Sequence, residues 1–146
     1  MIELNQLLGG DGHLLTPKEL RAVMTSWRET FGTALHEQTG SWTIGDIEWH
    51  TFSHGYFPYI SGDDAEESFL DRINEEFVVF SSGVLYRNSV LQLPASDRIV
   101  VSGDIPEFLK DNSGYFDLYF YSTADLWTMV YTHEPRFDRL YAQNGE

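Results

Sequence analysis

The chain has 146 residues, with 23 Asp and Glu against 9 Lys and Arg, a net charge of −14 and no Cys. Its length fits one domain, and 42% hydrophobic residues with 15% aromatics supply one buried core, which excludes wholesale disorder. The charge argues against nucleic-acid and anionic-membrane binding, which depend on Lys and Arg, and the lack of Cys excludes disulfides, Cys-ligated zinc and a thiol nucleophile.

The first residues carry no basic, apolar leader, and no stretch approaches the ~18–20 apolar residues of a membrane span. A cytoplasmic protein is expected. Gly9-Gly-Asp-Gly12 lacks the Lys-Ser/Thr that holds phosphates and reads as a turn. A helix is predicted over residues 17–35, with Gly32 either ending it or weakening it before Ala34 and Leu35 add a turn. Thr16 and Glu19 stand in capping-box spacing, Pro17 suits the first helical position, and Leu20, Val23, Met24, Trp27 and Phe31 form one apolar stripe. Gly40 breaks that pattern. Residues 42–52 then carry Trp42, Ile44, Ile47, Trp49 and Phe52 among polar residues, which suggests two strands with a turn or bulge near Gly45. Phe57-Pro-Tyr-Ile60 is a short extended piece that Pro58 confines to an edge or bend. A second helix follows, capped by Asp63 or Asp64, with Ala65, Phe69 and Ile73 on its apolar side.

Beyond Asn74 strands dominate. They are predicted at residues 77–80, 84–86, 90–93 and 99–101, and most strongly at 116–121 and 126–132. Residues 104–109 read as a short helix capped by Asp104, residues 111–114 as a turn, and 122–125 as a hairpin loop. Residues 136–141 are expected to add an edge strand. The fold class is therefore α+β, a single domain over residues 1–146 with a mainly antiparallel sheet.

Few residue patterns point to catalysis. His50 and His54 have the spacing that metal sites use on helices, but their context reads as β, so ordinary histidines are expected. His133-Glu134 reads as a strand-end hydrogen bond. No Gly-x-Ser-x-Gly elbow is present, and 23 acids single out no glycosidase-like pair. No catalytic residue, cofactor or metal is expected, and oligomeric state is left open.

The charge is uneven. Residues 63–76 hold Asp63, Asp64, Glu66, Glu67, Asp71, Glu75 and Glu76 against Arg72 alone, a net −6. A solvated helix face would have this composition. So would a patch suited to a Lys- and Arg-rich protein, which such a charge steers toward contact. Asp97, Asp104, Glu107, Asp111 and Asp117 form a second acidic set, and Tyr56, Tyr59 and Tyr115 lie in turn-rich sequence as candidate aromatic anchors.

Three blocks resemble a family of small bacterial proteins, the YxiF-like group. They are Glu48-Trp-His-Thr-Phe-Ser53, Ile60-Ser-Gly-Asp-Asp-Ala65 with Phe69, and Asp117-Leu-Tyr-Phe-Tyr121 followed by Leu126-Trp-Thr-Met-Val-Tyr-Thr-His-Glu134. The Trp-Thr-x-x-x-Thr-His-Glu segment is the most specific part. Where the family continues into a Gly-Pro-Tyr-Phe-like ending, this chain has Pro135-Arg-Phe-Asp-Arg139. The family lies near polymorphic-toxin genes, in systems such as contact-dependent growth inhibition, and is regarded as one of immunity proteins. The resemblance implies a single α+β domain that binds and neutralises a cognate toxin, with a basic nuclease as the expected partner and no catalytic residues. The binding set expected here is Asp63, Asp64, Glu66, Glu67, Asp71, Tyr56, Tyr59 and Tyr115. The alternatives are a small histidine- and carboxylate-dependent hydrolase, and a regulatory domain with an apolar pocket lined by Trp42, Trp49 or Trp127.

Overall fold

The computed structural model describes residues 13–14, 16–45, 47–72, 75–81, 90–93, 117–132 and 134–144. The capping box is formed as the spacing requires. Thr16 Oγ1 accepts from the Glu19 amide at 3.2 Å, and Glu19 Oε1 accepts from the Thr16 amide at 2.9 Å. Helix α1, Pro17–Phe31, follows. It stops four residues earlier than predicted. Gly32 brings its amide to 2.6 Å from the Arg28 carbonyl, and a Cβ there would stand 2.7 Å from that oxygen. A separate helix α2, Thr33–Thr39, continues the chain and ends on Gly40 in the left-handed region at φ 78°.

Residues 42–52 do not form the two expected strands. An isolated bridge joins Ile44 to Ile47, and a helical turn, α3, His50–Ser53, completes the segment. The burial pattern explains the change. Glu48 and Trp49 are buried as neighbours, and so are Thr51 and Phe52, while His50 and Ser53 are half-buried, which is not the period of two that a strand with one open face shows. The expected β context of His50 and His54 is corrected with it, since both lie in or just after this helical turn.

Among the described residues the sheet has seven strands: β1 His13–Leu14, β2 Ile60–Ser61, β3 Phe77–Ser81, β4 Val90–Leu93, β5 Leu118–Tyr121, β6 Trp127–Tyr131 and β7 Arg139–Gln143. Their order is β1-β4-β3-β5-β6-β7-β2, and all pairings are antiparallel. Helix α4, Gly62–Arg72, directly follows β2. A 3-10 turn, Pro135–Phe137, precedes β7. The expected C-terminal strand thus starts later than predicted and is no edge, because β2 pairs along its outer side. The segments predicted at residues 84–86, 99–101, 104–109 and 111–114, and the turn at residues 9–12, lie outside the described residues.

The registers sort the strand side chains onto two faces. Val78, Phe80, Tyr119, Tyr121 and Val130 meet Trp27, Phe31, Trp49 and Phe52 on one face. On the other, Phe69 of α4 packs its ring against Phe77, Phe120, Trp127 and Tyr131, at centroid distances of 5.0–6.2 Å. The result is α+β with helices on both sides of an antiparallel sheet. β5 and β6 are buried on both faces and so read as unbroken apolar runs rather than alternations. Polar groups inside are matched. The Trp27 indole N–H donates to Thr128 Oγ1 at 2.9 Å, and that hydroxyl donates to the Phe120 carbonyl at 2.8 Å. The Thr51 hydroxyl donates to the Phe31 carbonyl at 2.8 Å, tying α3 to the end of α1.

Candidate functional site around α4

The acidic run of the sequence becomes α4. Asp63 and Asp64 occupy its first turn rather than its cap, where their charge opposes the positive end of the helix dipole. Ala65 and Phe69 turn inward and fix which residues turn out. On the flank facing β7, Arg139 Nη1 donates to Asp63 Oδ1 at 2.9 Å and to Glu66 Oε2 at 2.8 Å. Asp138 adds a third carboxylate, 3.6 Å from Arg139 Nε. On the outward face, Asp64, Glu67 and Asp71 are exposed and form no ion pair among the described residues. Leu70 lies among them at 43% exposure, and Ile60, on the strand that leads into the helix, is equally open.

The C-terminal end of α4 is tied inward. Arg72 donates to Glu75 Oε2 and to Gln143 Oε1, both at 3.0 Å, and the Trp127 indole N–H donates to Glu75 Oε1 at 3.1 Å. Burial works against the Glu75 charge. The bonds from Trp127 and Arg72 outweigh it and hold the carboxyl below its ordinary range. Glu75 in turn pushes the neighbouring Asp125 carboxyl upward, by hydrogen bonding first and by its charge as well.

Tyr131 stands directly across the ladder from Arg139. Its hydroxyl is buried and makes no hydrogen bond among the described residues. Burial, and then the charge of Glu66, drive its pKa well above the ordinary phenol value.

The structure therefore gathers the five acids predicted on one helix but divides them. Asp63 and Glu66 serve Arg139, while Asp64, Glu67 and Asp71 face solvent. The predicted aromatic anchors do not join them. The Tyr59 ring packs on Phe52 at 6.0 Å, in the layer across the sheet from α4, and half-buried Tyr56 sits in the turn after α3, its amide donating to the Thr51 carbonyl. Tyr115 lies outside the described residues, as do His133, Asp97, Asp104, Glu107 and Asp111. Asp117 is no surface acid: it is buried and accepts the Trp49 indole N–H at 2.9 Å. Sequence reasoning missed Ile60, Leu70, Tyr131 and Arg139. The first two are isolated apolar residues at element ends, and the last two meet only through the β6–β7 register.

The other candidates are placed as follows. His50 and His54 have ring centroids 5.3 Å apart, and among the described residues no group of three His, Asp or Glu is arranged to hold a metal ion. Trp49 and Trp127 fill the interior. Trp42 stacks on His36 at 3.9 Å and borders a small hollow of about 150 Å3 with Thr25, Arg28 and Glu29. A larger, shallow hollow of about 640 Å3 lies over Ser26, Thr30 and Asn144. Tyr121 Oη stands 2.7 Å from the Ser26 hydroxyl and 2.9 Å from that of Thr30. No protein-family model, curated protein or solved structure matches this chain. No described helix is long and apolar enough to cross a membrane.

Proposed function

We propose that the chain is an immunity protein that binds and neutralises a basic bacterial toxin domain through the outward face of α4. One observation carries the reading: Asp64, Glu67 and Asp71 face solvent without an ionic partner among the described residues, beside the exposed apolar side chain of Leu70. Charged groups beside an apolar contact match the usual division of an interface, with a desolvated part for affinity and a polar rim for steering. The net charge of −14 extends the attraction beyond the helix. The YxiF-like resemblance supplies the partner class and agrees with this surface chemistry. The protein acts by occupying a surface of the toxin, in the cytoplasm, and no catalytic group of its own takes part.

The test has two arms. The chain is co-expressed with the product of a neighbouring toxin gene, and the expected result is co-purification and rescue of growth. Failure of both sinks the reading. In the second arm Asp64, Glu67 and Asp71 are all changed to Lys. Association is expected to slow at least about tenfold at low salt and to lose most of its salt dependence. An unchanged on-rate moves the interface off α4.

A further inference from the structure

Under the first turn of α4 the polar groups do not balance. Tyr131 is 1% exposed, and its hydroxyl has no hydrogen-bond partner. Buried hydroxyls are normally satisfied, so this one is an acceptor and donor held in reserve. Of the charges around it, that of Glu66 acts on it most strongly, followed by those of Arg139 and Asp138. Arg139 Nη1 uses one oxygen of Asp63 and one of Glu66 and leaves each carboxylate a second. Asp138 lies 3.6 Å from the same guanidinium. Three carboxylates around one cation leave the cluster two negative charges in excess.

A compact cation with several donors fits this arrangement. A lysine ammonium carries three N–H donors on a flexible stem, whereas a guanidinium needs the planar fork that Arg139 already fills. We infer that the first turn of α4 is a lysine-binding subsite: an ammonium from the partner seats on the second oxygens of Asp63 and Glu66 and donates its remaining N–H to Tyr131 Oη. Asp63, whose side chain is 97% exposed, is the open side of the cluster. The inference rests on the proposed basic partner and narrows it to one that presents lysine at the point of contact.

Tyr131→Phe tests it, because the change removes a hydroxyl that has no partner in the free protein. Binding of a hexalysine and a hexaarginine peptide is measured calorimetrically at low salt, with the intact chain and with the variant. The expected result is about tenfold weaker hexalysine binding in the variant, unchanged hexaarginine binding and an undiminished melting temperature. An equal loss for both peptides, no loss for either, or no hexalysine binding by the intact chain overturns the subsite. A double change, Asp64→Asn with Glu67→Gln, is expected to weaken both peptides alike. If it weakens only hexalysine, lysine selectivity belongs to the outer face and the subsite falls. Unchanged hexalysine binding in Tyr131→Phe removes the subsite while the toxin reading stands on co-purification. A toxin that fails to co-purify removes that reading without touching a selective Tyr131 effect.

Discussion

Glu48 shows what a single charged residue does inside this fold. It is 2% exposed, its Oε2 accepts from Arg28 Nη2 at 2.6 Å, and its Oε1 has no hydrogen bond. Removing one partner of such a pair strands the other charge, whereas removing both leaves little behind. Arg28→Ala is therefore expected to cost about 3 kcal/mol, and Arg28→Met combined with Glu48→Leu to restore most of it. Urea unfolding of the two variants checks this, and equal losses would refute it. The neighbours of Glu48 in the family-like block are equally interior. Trp49 donates its amide to Tyr119 Oη at 3.1 Å, and Phe52 packs edge-on to Trp27 at 5.7 Å. In the third block, the Thr132 hydroxyl donates to the Phe137 carbonyl at 2.8 Å and holds the turn before β7. Most described residues of the first and third blocks thus build the interior, whereas Ile60, Asp63 and Asp64 of the second lie exposed.

At the scale of elements, the junction of α1 and α2 depends on a missing side chain. Gly32→Ala would place a methyl 2.7 Å from the Arg28 carbonyl and 3.3 Å from that of Trp42, both of them backbone. Neither can step aside without moving a helix or the loop beside it, so a loss of about 1–3 kcal/mol is expected in thermal or chemical melts. A neutral Gly32→Ala would mean that the junction yields freely. This position also shows why the sequence was readable in parts. The start of α1 rests on local chemistry, Thr16 with Glu19, and was legible. Its end rests on an approach to Trp42 ten residues away and was not. The strands β3, β5 and β6 were legible because they are buried on both faces and are mostly apolar. The 42–52 segment was not, because Glu48 and Trp49 are buried by distant partners, Arg28 and Tyr119. The acids of α4 were legible as a run. Their division into paired and free sets was hidden, since Arg139 reaches them only through the fold.

Over the whole molecule the acids outnumber the cations by 23 to 9, so the ion pairs of Arg28, Arg72 and Arg139 sit in a field of self-repulsion. Salt weakens both the pairs and the repulsion, and with this excess the repulsion is the larger quantity. The melting temperature is expected to rise by several degrees between about 0.01 M and about 0.5 M sodium chloride. A fall would mean that the pairs dominate. The layers are joined by a further device with a practical side. The indole N–H groups of Trp27, Trp49 and Trp127 each end on an oxygen of a different part of the chain: Thr128, Asp117 and Glu75. Trp42 instead stacks on His36 near the surface. The four tryptophans are therefore built-in fluorophores with distinct surroundings. Replacing them one at a time with phenylalanine would assign the emission of each, so that the loosening of either helical layer from the sheet could be followed optically without an added label.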